Sequence, residues 1–566
     1  MVRLRWKTLL SCCLGFAALA GMLAFALNQG GDEQGLFNEV AFSKPSGFYN
    51  GAFLLELTGD GNPIYYTLDC SDPDARSTLY TGPILIEDAS PKENVYSAIT
   101  ETSVFYDKTL LKQNGVKQYL KYRVPQQPVD KATVVRAVSV DASGHCSPVS
   151  TAVYFVGYGE KSGYAGMNVM SITTDPSNLF DDEKGIYILG DKFKASLKDG
   201  VVQYENEGEA DVFFWPANYK QRGREWEREA VIHCFDANGD TVFSGPCGIR
   251  IQGRATRFQM PKNLNIYARK QYGCEAFDTG GLFGKTYRLN RLNLYNGSND
   301  LMLRDYMIHA MRPDADVANQ ECCPCVLFLD GEYWGVYWLC TRFKSDYLNQ
   351  AYGVRSDNIV SVKVGNIEIG EDSDLKLYED MVAYIADNDM RSPEAYARAG
   401  ELIDLQSCID YYAFEVYIAS TDWPTNNIAL WRSRRKASDA FSDGRWRWML
   451  FDLDHTSRVE NAKVDTARRA CNLDALFASL MQNDDFYRRF TEKLVQLAEE
   501  TFAPERTDAF VDAYESDMAA AIEKKYQRFY GKYDMDKLFY AGCEQVREFF
   551  RLRQTYIINT YGGKDS

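Results

Sequence analysis

Acidic and amide side chains are concentrated between residues 421 and 456, at spacings that suit phosphoryl-transfer chemistry. Asp422 and Asn427 stand five positions apart. At this spacing such enzymes place a carboxylate that accepts a hydroxyl proton and an amide that holds a metal ion. An apolar run, residues 446–451, ends at Asp452, and a rigid strand end can fix a carboxylate beside phosphates. The segment therefore predicts a site for a metal ion and a nucleotide.

The same residues also fit a simpler structural interpretation. Asp422 precedes a Trp-Pro pair, which is typical of a turn, because Asp bonds its own backbone and Pro fixes φ. Asn426 and Asn427 could cap the next element. Asp452 and Asp454 could flank a surface turn. Spacing alone leaves both interpretations open.

Several motifs, in order, resemble those of the CotH kinase family, the spore coat protein H family of atypical secreted protein kinases. Residues 422–427 resemble its D-W-x-x-N-N segment, and residues 446–454 resemble its W-x-W segment followed by D-x-D. Residues 248–263 are similar to its G-x-R-x-R-G element with a following Pro-Lys. Two further signatures match at Asn299-Asp300 with Arg304-Asp305, and at 328–337. The resemblance spans roughly residues 165–470.

The resemblance implies a kinase that transfers the γ-phosphoryl group of ATP to Ser or Thr hydroxyls of a protein at the cell surface or spore coat. Asp422 is the expected catalytic base. Asn427, Asp452 and Asp454 are the expected ligands of Mg²⁺ or Mn²⁺.

The resemblance also places Lys262 on the ATP phosphates, with Arg254, Arg257 and Asn426 as further nucleotide contacts. Arg can bind two phosphate oxygens at once. The residues alone leave another possibility, because Lys262 and the two arginines could be solvated charges at a strand edge.

The chain departs from the family pattern in ways that keep a second class of function open. Thr341 stands where family members commonly carry a Glu, in the stretch Leu339-Cys340-Thr341-Arg342. No G-x-G-x-x-G loop precedes Lys262, and no His-Arg pair precedes Asp422. The alternative is a catalytically inactive cell-surface protein that recognises a glycan or a partner protein.

Composition excludes several classes of protein. The net charge of −16 leaves no basic stripe for a nucleic-acid partner. The four His residues are scattered without metal-ligand spacing, which argues against a zinc enzyme. At 566 residues, 45% of them hydrophobic, the chain can build about three or four domains or subdomains.

Residues 1–34 read as a transmembrane signal anchor or a cleaved signal peptide. Three basic residues precede an apolar run over 8–27, and acidic residues follow it. About twenty apolar residues span a bilayer, and the flanking charges predict a cytoplasmic N-terminus. A cleaved signal remains the alternative, because the run ends in small residues. Either way, the chain after about residue 30 is expected outside the cytoplasm, membrane-anchored or secreted.

The 14 cysteines are dispersed apart from the cluster 322–325. A metal site would need a second cluster, so the cysteines are expected to be buried or occasionally paired thiols. In an oxidising compartment some could pair, and the sequence does not identify which.

The fold class expected is an α+β multidomain chain. Short alternating runs separated by turns over 38–157 predict a β-sandwich. Phrases such as IYYTLDCSDPDARSTLYTGPI resemble the chitobiase/β-hexosaminidase C-terminal-like domain, an Fn3-like sandwich that serves as a spacer or binding platform. Residues 165–370 are predicted to be β-rich, with a hairpin at Asp330-Gly331, and residues 371–566 helical. This order fits an atypical, two-lobed protein-kinase-like domain.

Two short motifs approach known sites without completing them. Residues 280–286 resemble a phosphate-binding loop, but the spacing is one residue short and a strand is predicted to follow. Residues 236–240 resemble a calcium loop without its closing Glu, so a hairpin turn is expected there.

Overall fold

Strands dominate the described chain up to about residue 370, and helices dominate after it. The computed structural model describes residues 39–117, 120–160, 164, 166–204, 210–297, 301–312 and 317–563. The predicted anchor, 1–34, and the Asn299-Asp300 pair lie outside these ranges. Within them, no helix combines the length and apolar character needed to cross a bilayer. The protein is a mixed α/β multidomain chain, with a sheet-rich N-terminal region and a helical C-terminal part.

The N-terminal region is built from short strands that bury alternate residues. They are β1 (Ala41–Phe42), β2 (Gly47–Tyr49), β3 (Phe53–Leu55), β4 (Leu57–Thr58), β5 (Ile64–Thr67), β6 (Thr78–Leu79), β7 (Ile84–Ile86), β8 (Thr133–Ser139) and β9 (Ser150–Val156). The main sheet has the order β2-β9-β8-β5-β6, and β3-β7 and β1-β4 form separate pairs. Leu55, Ile86, Val135 and Tyr154 belong to the apolar core of this region. The strands predicted near residues 53, 64 and 133 are confirmed.

Seven of the described strands then close a barrel in the order β10-β13-β14-β15-β18-β21-β20. The strands from this part of the chain are β10 (Asn168–Thr173), β11 (Leu197–Lys198), β12 (Val201–Val202), β13 (Arg228–Phe235), β14 (Thr241–Ile251), β15 (Leu264–Tyr267), β16 (Phe277–Asp278), β17 (Arg288–Leu289), β18 (Arg291–Tyr295), β19 (Ala318–Asn319), β20 (Cys322–Leu329) and β21 (Glu332–Cys340). The glycine-rich stretch 280–286 leads into β17 rather than a helix, as predicted.

The hairpin predicted at Asp330-Gly331 is confirmed as the pair β20–β21. Asp330 and Gly331 have φ of 46° and 79°. Asp and Gly both accept this left-handed conformation, which a two-residue hairpin turn requires. Every residue of β21 is buried, so the hairpin lies at the centre of the molecule.

A second sheet, with the order β19-β25-β24-β22-β23, adjoins the barrel. Its further strands are β22 (Ile359–Lys363), β23 (Asn366–Ile369), β24 (Ala429–Ser433) and β25 (Arg447–Leu450). The helices are α1 (Lys108–Gln113), α2 (Ser177–Phe180), α3 (Gly190–Ser196), α4 (Arg304–Met311), α5 (Ser345–Tyr352), α6 (Leu375–Asp387), α7 (Pro393–Leu402), α8 (Leu405–Tyr417), α9 (Thr466–Leu473), α10 (Ala475–Leu480), α11 (Asp484–Gln496), α12 (Pro504–Tyr530) and α13 (Ala541–Tyr561). The helices predicted after residue 371 are present, and α12 begins at Pro504 and ends at Tyr530, before Gly531.

Candidate active site

The loop that carries Asp422 is held by the buried helix before it. Residues Ser407 to Tyr417 of α8 are all buried, as expected for a helix that is apolar on every side. Trp423, 1% exposed, donates its Nε1 proton to the Tyr411 hydroxyl at 3.0 Å. The same hydroxyl donates to the carbonyl of Asn427 at 3.2 Å. Tyr411 therefore fixes both ends of the segment between Asp422 and Asn427.

Asp422 and Asn427 are in direct contact. The Asn427 amide donates to Asp422 Oδ2 at 2.8 Å and, more weakly, to the backbone carbonyl of Asp452 at 3.4 Å. Asn427 and Asp452 have φ of 54° and 61°, a conformation that Asn and Asp adopt more readily than other non-Gly residues. The three residues that the spacing singled out thus lie together at the ends of two elements.

The segment after β25 is bonded to the Asp422 loop and to the barrel. Thr421 donates through its backbone N–H and its hydroxyl to the carbonyl of His455, at 3.1 and 2.9 Å. The Tyr295 hydroxyl, at the end of β18, donates to Asp454 Oδ2 at 2.8 Å. These bonds give Asp452 and Asp454 fixed positions despite their place in a turn.

Asp305, on helix α4, holds the backbone of the turn between Asp452 and Asp454. Its Oδ1 accepts the backbone N–H of Leu453 at 2.6 Å and lies 3.4 Å from Nε2 of His309, one helical turn along α4. Burial alone would raise the pKa of Asp305, but His309 and the Leu453 N–H lower it below its usual value. The carboxylate is therefore held ionised, and it supports the backbone between Asp452 and Asp454.

Two of the acidic side chains, Asp422 and Asp452, have a raised pKa. Burial raises the pKa of Asp422, with Asp454 adding to the rise and His455 opposing it. Desolvation by the surrounding protein raises the pKa of Asp452, and the charges of Asp454 and Asp305 raise it further. The charge of Lys363 opposes the rise. The Asp452 side chain is exposed to water, so the neighbouring carboxylates are the main physical cause of the rise.

These features fit a divalent cation. Asp454 Oδ1 is a buried oxygen with no hydrogen-bond partner among the described residues, and a cation would supply the positive charge that it lacks. In the described ranges, no three His, Cys, Asp or Glu side chains converge into a complete metal cage. Mg²⁺ commonly takes one or two carboxylates and completes its shell with phosphates and water.

A small cavity, open to solvent, lies beside the strand end that precedes Asp452. Phe451, which lines the cavity, directly precedes Asp452. Its wall includes the basic side chains of Arg342, Lys344 and Lys363. Apolar lining comes from Phe343, Met449 and Phe451, and the Lys363 ammonium lies 4.1 Å from the centre of the Phe451 ring. Lys344 is paired with Glu368, also in the lining, at 3.0 Å, and the remaining aromatic and basic side chains suit a base attached to phosphates.

Three of the predicted phosphate contacts are basic side chains of the barrel region. Lys262 is fully buried; its ammonium donates to the carbonyl of Arg257 at 2.9 Å and lies 3.7 Å from the centre of the Tyr219 ring. Arg257 donates to the carbonyls of Gly253 and Gln221 at 2.7 and 2.6 Å. Arg254 is exposed. Among the contacts of the described residues, none joins these three cations to the acidic group.

Asn426 is exposed, and its backbone N–H donates to the carbonyl of Asp422 at 3.1 Å. Sequence reasoning did not identify Lys363 or Tyr295, and it gave Asp305 no role. No motif near Lys363 in the sequence indicates a role in the site, because Lys363 lies 89 positions before Asp452. Only the pairing of the strands brings the two residues close together. The motif Arg304-Asp305 was the one available pointer to Asp305.

Comparison with protein families matches two parts of the chain. Residues 249–557 match the model described as CotH kinase protein, and residues 54–154 match the model described as Fn3 associated. The second match agrees only roughly with the chitobiase-like resemblance of the sandwich. No curated protein matches the chain. Because the first model covers more than half of the chain and contains Asp422, Asn427 and Asp452, the protein belongs to the CotH kinase family.

Proposed function

We propose that the protein is an atypical protein kinase that transfers the γ-phosphoryl group of ATP to a Ser or Thr hydroxyl of a protein outside the cytoplasm. The observation that carries the proposal is the contact of Asp422 with Asn427, beside Asp452 at a strand end. The membership of the family supports the class of reaction. The barrel corresponds to the first lobe of a kinase, and the helical part to the second.

Asp422 is the proposed catalytic base. Asn427 fixes its Oδ2, so that Oδ1, which has no partner among the described residues, is left to accept the proton of the attacking hydroxyl. A raised pKa brings the carboxylate closer to the operating pH, which favours general-base catalysis.

Asp452, Asp454 and Asn427 are the proposed metal ligands. A bound Mg²⁺ or Mn²⁺ would neutralise charge on the β and γ phosphates. Tyr295 orients Asp454, and Asp305 holds the turn between the two carboxylates.

Lys363 is the proposed cation on the phosphates, because it lines the cavity and its charge acts on Asp452. The role predicted for Lys262 stays a prediction, as do those of Arg254, Arg257 and Asn426. In this conformation the Lys262 ammonium is enclosed between Arg257 and Tyr219, so it would have to leave that site to touch a nucleotide.

The test measures nucleotide binding and phosphoryl transfer separately. A rise in melting temperature that needs both ATP and Mg²⁺ or Mn²⁺ would report binding. Transfer of radiolabelled γ-phosphate, to the protein itself or to proteins of the cell surface, would report catalysis. Binding without transfer above an Asp422→Asn background, with several metals and substrates, would favour the inactive binding protein instead.

The location is a separate part of the proposal. Residues 1–34 are proposed to act as a signal anchor or a cleaved signal, which puts the described residues outside the cytoplasm. Protease added outside intact cells should cut the C-terminal part of an anchored protein. Protection of that part in intact cells would contradict the proposal.

A further inference from the structure

Two cysteines of the central hairpin meet across neighbouring strands. Cys322 of β20 and Cys340 of β21 are direct Cα partners in the antiparallel register, and their sulfur atoms are in contact, 2.6 Å apart. Directly opposed residues of antiparallel strands have Cα atoms about 4.5–5.5 Å apart. A disulfide needs about 4.4–6.8 Å, so the backbone could accept the bond without moving.

The neighbouring cysteines are not alternatives for Cys340. Cys323 is opposite Leu339 and Cys325 is opposite Tyr337, and successive residues of a strand face opposite sides. Cys323 and Cys325 therefore pack into the barrel interior, whereas Cys322 and Cys340 face the helical core outside it. The other register neighbour of Cys340 is Asn293.

We propose that Cys322 and Cys340 form a disulfide when the folded chain meets a small disulfide oxidant such as oxidised glutathione. Cys322 is the accessible partner, because it is partly exposed while Cys340 is buried. The Cys322 thiolate attacks one sulfur of the oxidant and releases one thiol. The Cys340 thiolate then attacks the Cys322 sulfur of the mixed disulfide and releases the second thiol. The two cysteine protons end on the two released thiols.

The bond would fix the end of the hairpin that reaches the cavity. Gln320 and Arg342, two positions beyond the pair on each strand, both line the cavity. Between them and the pair, Glu321 N–H donates to Thr341 Oγ1 at 3.1 Å, and the Gln320 amide donates to the carbonyl of Thr341 at 2.9 Å. A disulfide between Cys322 and Cys340 would add a covalent link next to these hydrogen bonds. The proposal stands whether or not the protein is an active kinase.

The test maps the bond in the native protein after incubation in a buffer of oxidised and reduced glutathione. Free thiols are then blocked, and the chain is cut after Glu and after Lys or Arg. The chain has Glu at 321 and 332 and Arg at 342. This digestion separates segment 322–332 from segment 333–342, which contains Cys340. We expect the two segments to be joined, and to separate on reduction.

Two variants identify the sulfur atoms. Cys323→Ala is the matched control and should keep the joined segments, while Cys322→Ala should lose them. The oxidised protein should also melt at least roughly 2 °C above the reduced protein, and Cys323→Ala should keep that difference. Separate, fully blocked segments from the folded wild-type protein in oxidising buffer would overturn the proposal, as would joined segments that persist in Cys322→Ala.

Discussion

The residues of the candidate site carry an unbalanced charge. Desolvation and the charge of Asp454 raise the pKa values of Asp422 and Asp452, and Lys363 is the cation that opposes the rise at Asp452. Two of the carboxylate oxygens are buried without a hydrogen-bond partner among the described residues. Such an arrangement costs stability in the free protein, and a bound cation would recover it.

Asp422→Asn should separate catalysis from binding. The substitution keeps the side-chain shape but removes the base, so we expect phosphoryl transfer to fall by about 10²–10⁴-fold. The ATP-dependent rise in melting temperature should remain, because the metal and Lys363 carry the phosphate charge. Asp380→Asn, an exposed position on α6, is the control. Transfer at the wild-type rate in Asp422→Asn would show that Asp422 is not the base.

Asp452→Asn should remove the metal-dependent effect of ATP on the melting temperature. It deletes one charged metal ligand, and it also relieves the repulsion with Asp454. The apo protein should therefore melt no lower than wild type, as measured by thermal denaturation without metal. An unchanged ATP and Mg²⁺ shift in this variant would exclude Asp452 as a ligand.

Lys363→Gln and Lys262→Met should distinguish the two candidate phosphate cations. Removing the Lys363 charge should weaken ATP binding about tenfold, the equivalent of about 1.4 kcal/mol, as measured by titration calorimetry. Lys262→Met should leave ATP affinity unchanged, because the Lys262 ammonium is enclosed by Arg257 and Tyr219. The opposite result would restore Lys262 to the role that the family resemblance implies. Lys376→Gln, at an exposed site, is the control.

At the scale of elements, hydrogen bonds join the turn of the central hairpin to two other parts of the chain. Asp330 Oδ1 accepts the backbone N–H of Thr174 at 2.8 Å, and its Oδ2 is buried without a partner among the described residues. Gly331 accepts the backbone N–H of Ala132 through its carbonyl at 2.8 Å. The hairpin is thus tied to the barrel on one side and to the sandwich on the other.

Asp330→Asn should make stability less dependent on pH. Burial raises the pKa of Asp330 to about 8 in the folded protein, against about 3.9 in an unfolded chain. Between these values the folded state holds a proton that the unfolded state has lost, so the wild-type free energy of unfolding falls as the pH rises. Asn keeps the bond to Thr174 and has no proton to lose.

The melting temperature of Asp330→Asn, relative to wild type, should therefore increase from pH 5 to pH 8. We expect a gain of at least about 1 kcal/mol at pH 8. Asp372→Asn, at an exposed position, should show no such trend. A difference between Asp330→Asn and wild type that stays constant with pH would show that Asp330 is ionised in the folded protein.

At the scale of the whole molecule, the sandwich and the kinase region are interlocked. Glu332 of β21 accepts the backbone N–H groups of Val95 and Ser97, both at 2.7 Å. Near the other end of the chain, Arg528 donates to the carbonyl of Ser97 at 3.3 Å, and Lys524 pairs with Asp130. Segment 95–131 therefore contacts both the barrel and helix α12.

The two regions should unfold in one transition. Differential scanning calorimetry should give a single peak, because neither region keeps its buried polar contacts without the other. Glu332→Ala should lower the free energy of unfolding by about 2 kcal/mol, since it leaves two N–H groups, of which that of Ser97 is buried, without their acceptor. Two well-separated peaks in the wild-type protein would contradict the interlocked arrangement.

The sequence predicts those parts of the site that depend on local order. Asp422 and Asn427 are five residues apart within one loop, and Asp452 follows an apolar run that does form strand β25. The hairpin at Asp330-Gly331 has a local signal as well. For all of these, the residues that decide the conformation are neighbours in the chain.

The sequence does not predict contacts set by strand pairing and side-chain direction. Lys363 reaches the site because β22 pairs with β24 in the same sheet as β25. Strand β15 follows Lys262 in the β-rich region that the sequence predicts. The Lys262 ammonium, however, lies against the ring of Tyr219, which is 43 positions away in the chain. The pairing of Cys322 with Cys340, rather than with a nearer cysteine, is likewise decided by register.

The interlocking of segment 95–131 with α12 has a consequence for how the chain matures. Ser97 and Arg528 are 431 positions apart, so a chain made from its N-terminus exposes this segment long before its last partner exists. Its contacts with Glu332 can form earlier, but its contacts with α12 can form only when nearly the whole polypeptide has been produced. We therefore expect ribosome-bound intermediates to expose this segment to proteases and chaperones.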